Sequence, residues 1–122
     1  MNKRRQGPEL FRAIAEFTYD WESWIDSRGR LAWVNAAVER MTGYTADECM
    51  RLPRYPLSIV HEEDRKRIRA ALAGARRGSS GNDVEFRVVQ RNGAIRWLAI
   101  SWQPLVYEGA RYGYRTSVRD ID

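Results

Sequence analysis

Cysteine is almost missing from this chain. Cys49 is the only one in 122 residues, so no internal disulfide can close and no thiolate metal cluster can form within the chain. A reducing compartment suits such a sequence. Histidine is equally scarce, His61 standing alone. With no nucleophile set beside a base and no cluster of metal ligands in the sequence, catalysis is not expected. Nor is there an apolar run near the ~20 residues that a membrane span requires. The opening "MNKRRQGPEL" has no apolar core of a secretion signal. The expectation is a cytoplasmic protein without membrane contact, free of internal repeats and low-complexity tracts.

What is present is globular: 43% hydrophobic and 30% charged residues, at a length typical of one domain. The formal net charge of +5 raises the question of nucleic acid, most of all at "RKRIRAALAGARR", residues 65–77. On a helix, however, Ile68, Ala71, Leu72 and Ala75 form one apolar stripe, and the arginines spread over the solvated remainder. Glu62, Glu63 and Asp64 occupy the first turn, where the helix dipole favours negative charge. The segment reads as a surface helix, and no nucleic-acid partner is expected.

The stretch "DSRGRLAWVNAAVERMTGYT" holds three local signals. Ser27-Arg28-Gly29-Arg30 is a turn between two aromatic, β-branched runs, which marks a hairpin. Asn35 stands where an N-cap belongs for a short helix over 36–42, with Gly43 as its C′ residue. Thr45-Ala46-Asp47-Glu48 opens a second helix as a capping box. Neither helix reaches the ~12 residues that an isolated helix needs in water, so packing against the hairpin must hold both.

Elsewhere, Leu10, Phe11, Ile14 and Phe17 fall at helical spacing over residues 8–17. The prolines of "RLPRYPLSIV" interrupt any long helix, and residues 61–77 form the one long helix. Residues 78–82 read as a flexible turn. The last third is strand: "DVEFRVVQ", the turn "RNG", "AIRWLAISWQPLV", the turn "YEGA" and "RYGYRTSVRDI". The pattern predicts an α+β fold, a five-stranded antiparallel sheet with short helices and one long helix on one face.

The order of hairpin, "VNAAVERMTGYTADE", "HEEDR" opening a long helix, "FRVVQRNGAIRWLAISWQPL" and terminal "VRDID" resembles a PAS domain, the sensory and interaction module of bacterial signalling proteins. The resemblance covers residues 21–122, and residues 1–20 are similar to the N-terminal cap helix that many such domains carry. It implies a non-catalytic regulatory module, a sensor and dimerisation unit in a two-component system. The covalently linked output domain would be a histidine kinase, or else a GGDEF diguanylate cyclase. The alternative is a free-standing small-molecule binding protein without an output domain.

The resemblance also bears on cofactors. His61 sits where the family caps the long helix, and the position of a haem-ligating histidine holds Arg65, Ile68 and Leu72. Flavin-binding light sensors carry a reactive cysteine in an Asn-Cys-Arg-Phe-like motif; here that region reads "RLPRYPLSIV", and Cys49 lies upstream. Where such sensors place amides around the flavin, this chain has Val88, Leu98 and Val118. Haem and flavin are both disfavoured, and no metal site is expected. The terminal Asp120-Ile121-Asp122 departs from the family's Asp-Ile-Thr or Asp-Ile-Ser, although an aspartate can also cap a helix.

Aligned with the family, Leu98, Ile100 and Trp102 face the pocket, with Phe86, Val88, Thr116 and Val118 beside them. Period-two alternation adds Trp21, Ser23 and Ile25 from the first strand, and Tyr55 is a nearby polar candidate with Tyr114. Two readings of this set stay open: a filled core, or a pocket for a small apolar or aromatic ligand. The same alternation turns Trp24, Trp97, Ala99 and Ser101 outward. Tryptophans on an open sheet face call for a cover, and the helix bearing Phe11, Ile14 and Phe17 is the expected one, shared within a homodimer.

Overall fold

The computed structural model describes residues 18–122. A hairpin of β1 (Trp21–Ile25) and β2 (Leu31–Val34) comes first. Its turn is tied by the Asp26 carboxylate, which accepts from the N–H groups of Arg28 and Arg30 at 2.9 and 3.0 Å. Two short helices follow, α1 (Ala37–Thr42) and α2 (Ala46–Arg51), then a 3-10 turn at Leu57–Ile59 and the long helix α3 (Glu62–Arg76). The chain ends in β3 (Gly81–Val89), β4 (Ile95–Tyr107) and β5 (Ala110–Asp120). All pairings are antiparallel, in the order β2-β1-β5-β4-β3. This is the α+β architecture that the sequence pattern predicts. The cap helix expected over residues 8–17 lies outside the described residues.

The short helices are held by tertiary contacts, as their length requires. In α2 the capping box forms, with Thr45 accepting from Glu48 N–H at 3.1 Å and Glu48 from Thr45 N–H at 2.9 Å. Gly43 ends α1 at φ +82°, its N–H bonded to Glu39 O at 2.8 Å. The last carbonyls of α1 find partners on the β3–β4 turn: Gln90 Nε2 donates to Met41 O at 3.0 Å, and Arg91 N–H to Thr42 O at 2.8 Å. A helix end that would otherwise expose unpaired carbonyls is thereby satisfied.

The start of α1 differs from expectation. Ala36 occupies the N-cap without a side-chain bond. Asn35, fully buried, serves another purpose: its Oδ1 accepts from Glu22 N–H and its Nδ2 donates to Asp20 O, both at 2.9 Å. A buried amide must satisfy both its ends, and the strand entrance offered a donor and an acceptor together. Helix α1 therefore begins one residue later than the expected 36.

Helix α3 starts at His61, whose Nδ1 accepts from Glu63 N–H at 3.1 Å, so the capping role read from the sequence is observed. Ile68, Leu72 and Ala75 are buried against the sheet. The outer edge of β3 is covered rather than open: Val60 bridges Val88, and His61 N–H donates to Arg87 O at 2.9 Å. An uncovered edge would present unpaired backbone groups to other chains. Strand β3 also begins earlier than expected, taking in Gly81 and Asn82, which the sequence placed in a turn. Among the described residues, no helix is long and apolar enough to cross a membrane.

Candidate ligand site on the inner face of the sheet

The strand registers align side chains into rows across the inner face. Ser23 pairs with Thr116, Thr116 with Trp102, and Trp102 with Gly81. Each row alternates faces with the next, and this one lies on the helix side, where Ser23, Thr116 and Trp102 are all buried. Two residues further along, Trp21, Val118 and Ile100 form an apolar row; on the other side Ile25 faces Tyr114. A single polar row thus runs between apolar ones, the composition that ligand sites favour.

Tyr55, from the loop after α2, reaches over this row. Its hydroxyl accepts from Trp21 Nε1 at 2.7 Å and shares a hydrogen bond with Ser23 Oγ at 2.6 Å. The Tyr55 ring stands edge-on to Trp21, with centroids 6.3 Å apart. Burial raises the Tyr55 pKa, the Ser23 bond opposing it and the neighbouring Cys49 adding to it. Burial likewise pushes the Cys49 thiol up to about 11 and the Tyr114 phenol up to about 12. The site holds its titratable groups neutral at physiological pH.

At the far end of the row, Trp102 is 8% exposed, and its buried indole Nε1 has no hydrogen-bond partner among the described residues. Its ring lies flat over Gly81: a Cβ there would come within 2.2 Å of the indole. Gly81 is therefore a site residue that sequence reasoning missed, because a glycine beside a Gly-Ser-Ser run reads as loop. The cross-strand partner that demands it is visible only in the register.

The structure brings together most of the residues expected to face the pocket. Ile25, Phe86, Val88, Leu98, Ile100, Trp102, Thr116 and Val118 are buried on the inner side, and Tyr55 is partly buried above them.

The outward face departs from the expected apolar patch. Trp24 is partly buried, its indole donating to Tyr112 O, whereas Trp97 is 41% exposed beneath the Arg87 guanidinium, 5.0 Å from its ring centre. Ala99, which the alternation turns outward, is buried. Trp24 is level with Arg115 and Gln103, six residues along β4 from Trp97, a separation of roughly 20 Å at the rise of a strand. Phe11, Ile14 and Phe17 themselves lie outside the described residues.

Between the tryptophans the outward face is polar. Glu22, 5% exposed, is bonded to Ser117 Oγ and paired with Arg115 Nη1 at 3.4 Å. With its amide turned to accept, Gln103 takes both Arg115 Nε and Nη2 at 2.9 Å. A groove of about 530 Å³ runs here, with Ser101, Arg115, Ser117 and Arg119 along it and Asp20 at its rim.

The family described as PAS fold matches residues 31–117. No curated protein matches the chain. Among solved structures, a domain of a sensory box sensor histidine kinase/response regulator from Geobacter sulfurreducens is 26% identical, covers 98% of this chain and 97% of its own, and gives a TM-score of 0.71. The PAS domain of a Colwellia psychrerythraea protein gives 0.72 at 19% identity, over 93% of this chain and 96% of that one. A PAS domain from the fruit-fly ELK potassium channel gives 0.76 at 15% identity, over 93% and 96%. The last two share the fold alone, on very different proteins.

Proposed function

This chain belongs to the PAS family, and from that premise we propose that it is the regulatory sensor and dimerisation module of a bacterial signal-transduction protein. It acts in the cytoplasm, does no catalysis, and biases a covalently attached output domain, a histidine kinase in the first instance and a GGDEF diguanylate cyclase in the second. The observation that supports this reading is the 26% identity over nearly the whole of both chains with the Geobacter sulfurreducens domain of a sensor histidine kinase/response regulator. The module carries neither haem nor flavin. Supporting that, the inner-face positions 88, 98 and 118 are buried valine, leucine and valine, side chains with no group to bond an isoalloxazine edge.

Control runs through self-association. The N-terminal helix with Phe11, Ile14 and Phe17 packs over Trp24 and Trp97 on the outward face and is shared across a two-fold axis. Sedimentation of the intact chain and of the Phe11→Glu plus Ile14→Glu variant tests this. A concentration-dependent dimer that the double substitution dissociates is the expected result; a monomer in both would overturn the dimer. In the parent protein, removing residues 18–122 should change the basal rate of autophosphorylation or of cyclic dinucleotide synthesis, and no change in either would overturn the regulatory reading.

A further inference from the structure

The arginines are not partnered alike. Arg67, Arg87, Arg91, Arg96, Arg115 and Arg119 each form an ion pair with a carboxylate. Arg28, Arg30, Arg76, Arg77 and Arg111 are exposed and form none among the described residues, yet three segments bring them to the same end of the domain. Ser27, in the β1–β2 turn, faces Ala73, Arg76 and Arg77 across a groove of about 320 Å³. Arg76 reaches over to that turn, its Cζ 3.1 Å from where a Cβ on Gly29 would stand, between Arg28 and Arg30. Arg111, near the start of β5, sets its Nη2 2.9 Å from where a Cβ on Gly78 would stand, just past the end of α3.

Neither local role of a cation explains this gathering. A helix C-terminus favours positive charge, but the last carbonyls of α3 already accept from the N–H groups of Arg77, Gly78 and Ser79 at 3.0 Å, and Arg28, Arg30 and Arg111 belong to other elements. Nor does the hairpin form its own ion pairs: the Asp26 carboxylate is turned to the amides of its own turn. Like charges held together without a counter-charge leave a positive field over the groove.

We propose that this groove binds the diphosphate group of a small phosphorylated molecule. The phosphoryl oxygens accept from the Arg76 and Arg77 guanidiniums, whose planar forks match phosphate, and from the Ser27 hydroxyl. Arg28, Arg30 and Arg111 supply the surrounding field. A phosphoryl group brings nearly two charges and three strong acceptors, more than a carboxylate offers to so many donors. Cations drawn from three segments around one groove suit a compact anion, whereas a nucleic-acid backbone is met by a row of phosphate contacts. The inference goes beyond the sensor reading and does not depend on it.

The test titrates pyrophosphate into the full chain at physiological ionic strength, where exposed charges more than about 8 Å apart are largely screened. Heat is followed together with the ¹⁵Nε signals of the arginines. Saturable binding that moves the Arg76 and Arg77 signals is the expected result, and no binding at millimolar pyrophosphate would overturn the site. Arg76→Gln plus Arg77→Gln should weaken binding by about tenfold or more. Arg51→Gln plus Arg54→Gln, which removes two exposed arginines outside the groove, should leave it unchanged; an equal loss in both variants would reduce the effect to net charge and overturn the site.

Malonate, a dianion built of carboxylates, should bind much more weakly, and equal binding would overturn the phosphoryl assignment. Ser27→Asp, which sets a carboxylate opposite the arginines, should abolish binding, and it decides the matter if the double variant fails to fold. Retention of the chain on phosphatidylglycerol vesicles or on a short DNA duplex that excess pyrophosphate does not release would overturn the small-molecule site in favour of a membrane or nucleic-acid surface. A failed titration would leave the sensor reading standing, because the dimer and the output rate test that separately.

Discussion

The Asp64 carboxylate, in the first turn of α3, takes three donors from Arg87 on the edge strand β3: the backbone N–H at 2.8 Å, Nε at 3.0 Å and Nη2 at 2.8 Å. One side chain thus caps an edge amide and anchors the long helix to the sheet. The Arg87 side-chain bonds, with its backbone N–H, hold the Asp64 carboxyl at about 2, below its usual 3.8. Because the folded value is the lower one, the stabilisation is complete above the usual value and is lost as pH falls towards about 2. Asp64→Asn should lower the melting temperature at neutral pH and flatten the decline of stability below about pH 4. Thermal melts across an acid series check both; an unchanged acid slope would contradict the assignment.

Glu22 should behave in the opposite sense. Burial raises its pKa, against the Ser117 hydrogen bond and the Arg115 charge. A group whose folded pKa is raised favours folding when protonated and loses that contribution as pH rises through the folded value. Glu22→Gln, which keeps an acceptor for Ser117 and Arg115, should therefore raise the melting temperature at pH 7 more than in acid, where the native residue is already neutral. A larger gain at low pH than at neutral pH would refute this.

Gly81→Ala should be disproportionately harmful for a partly buried loop-to-strand junction. The new methyl would fall 2.2 Å from the Trp102 ring, and the indole must tilt or β3 must shift, a strain of about 1 to 3 kcal/mol. Trp102→Ala should cost about 3 to 5 kcal/mol as a large buried side chain. If the two act through one contact, the double variant should cost markedly less than their sum. Denaturant titration of all three proteins measures the coupling.

Tyr55→Phe removes one oxygen and strands two groups, Trp21 Nε1 and Ser23 Oγ. The expected loss is about 1 to 3 kcal/mol, accompanied by faster exchange of the Trp21 indole proton. Unaltered exchange would mean that the hydroxyl is not what protects it.

Much of this protein was written in local patterning. The hairpin, the Thr45–Glu48 capping box, the Gly43 stop and the His61 cap depend on residues within four positions of one another, so composition and order suffice to place them. The likeness to the family placed Phe86, Val88, Leu98, Ile100 and Val118 on one face and alternation added Ile25; all six are buried. Tertiary structure decided everything that depends on which strands are neighbours. With β5 inserted between β1 and β4, Ser23, Thr116 and Trp102 fall into one row, Gly81 becomes the floor beneath an indole, and Trp24 and Trp97 separate to opposite ends of the outward face. Asn35 illustrates the same division: the sequence offers a side chain able to cap a helix, and the strand packed beside it supplies a buried donor and acceptor that compete for it and win. Local preference is worth about 1 kcal/mol at a cap, and an unsatisfied buried amide costs more than that.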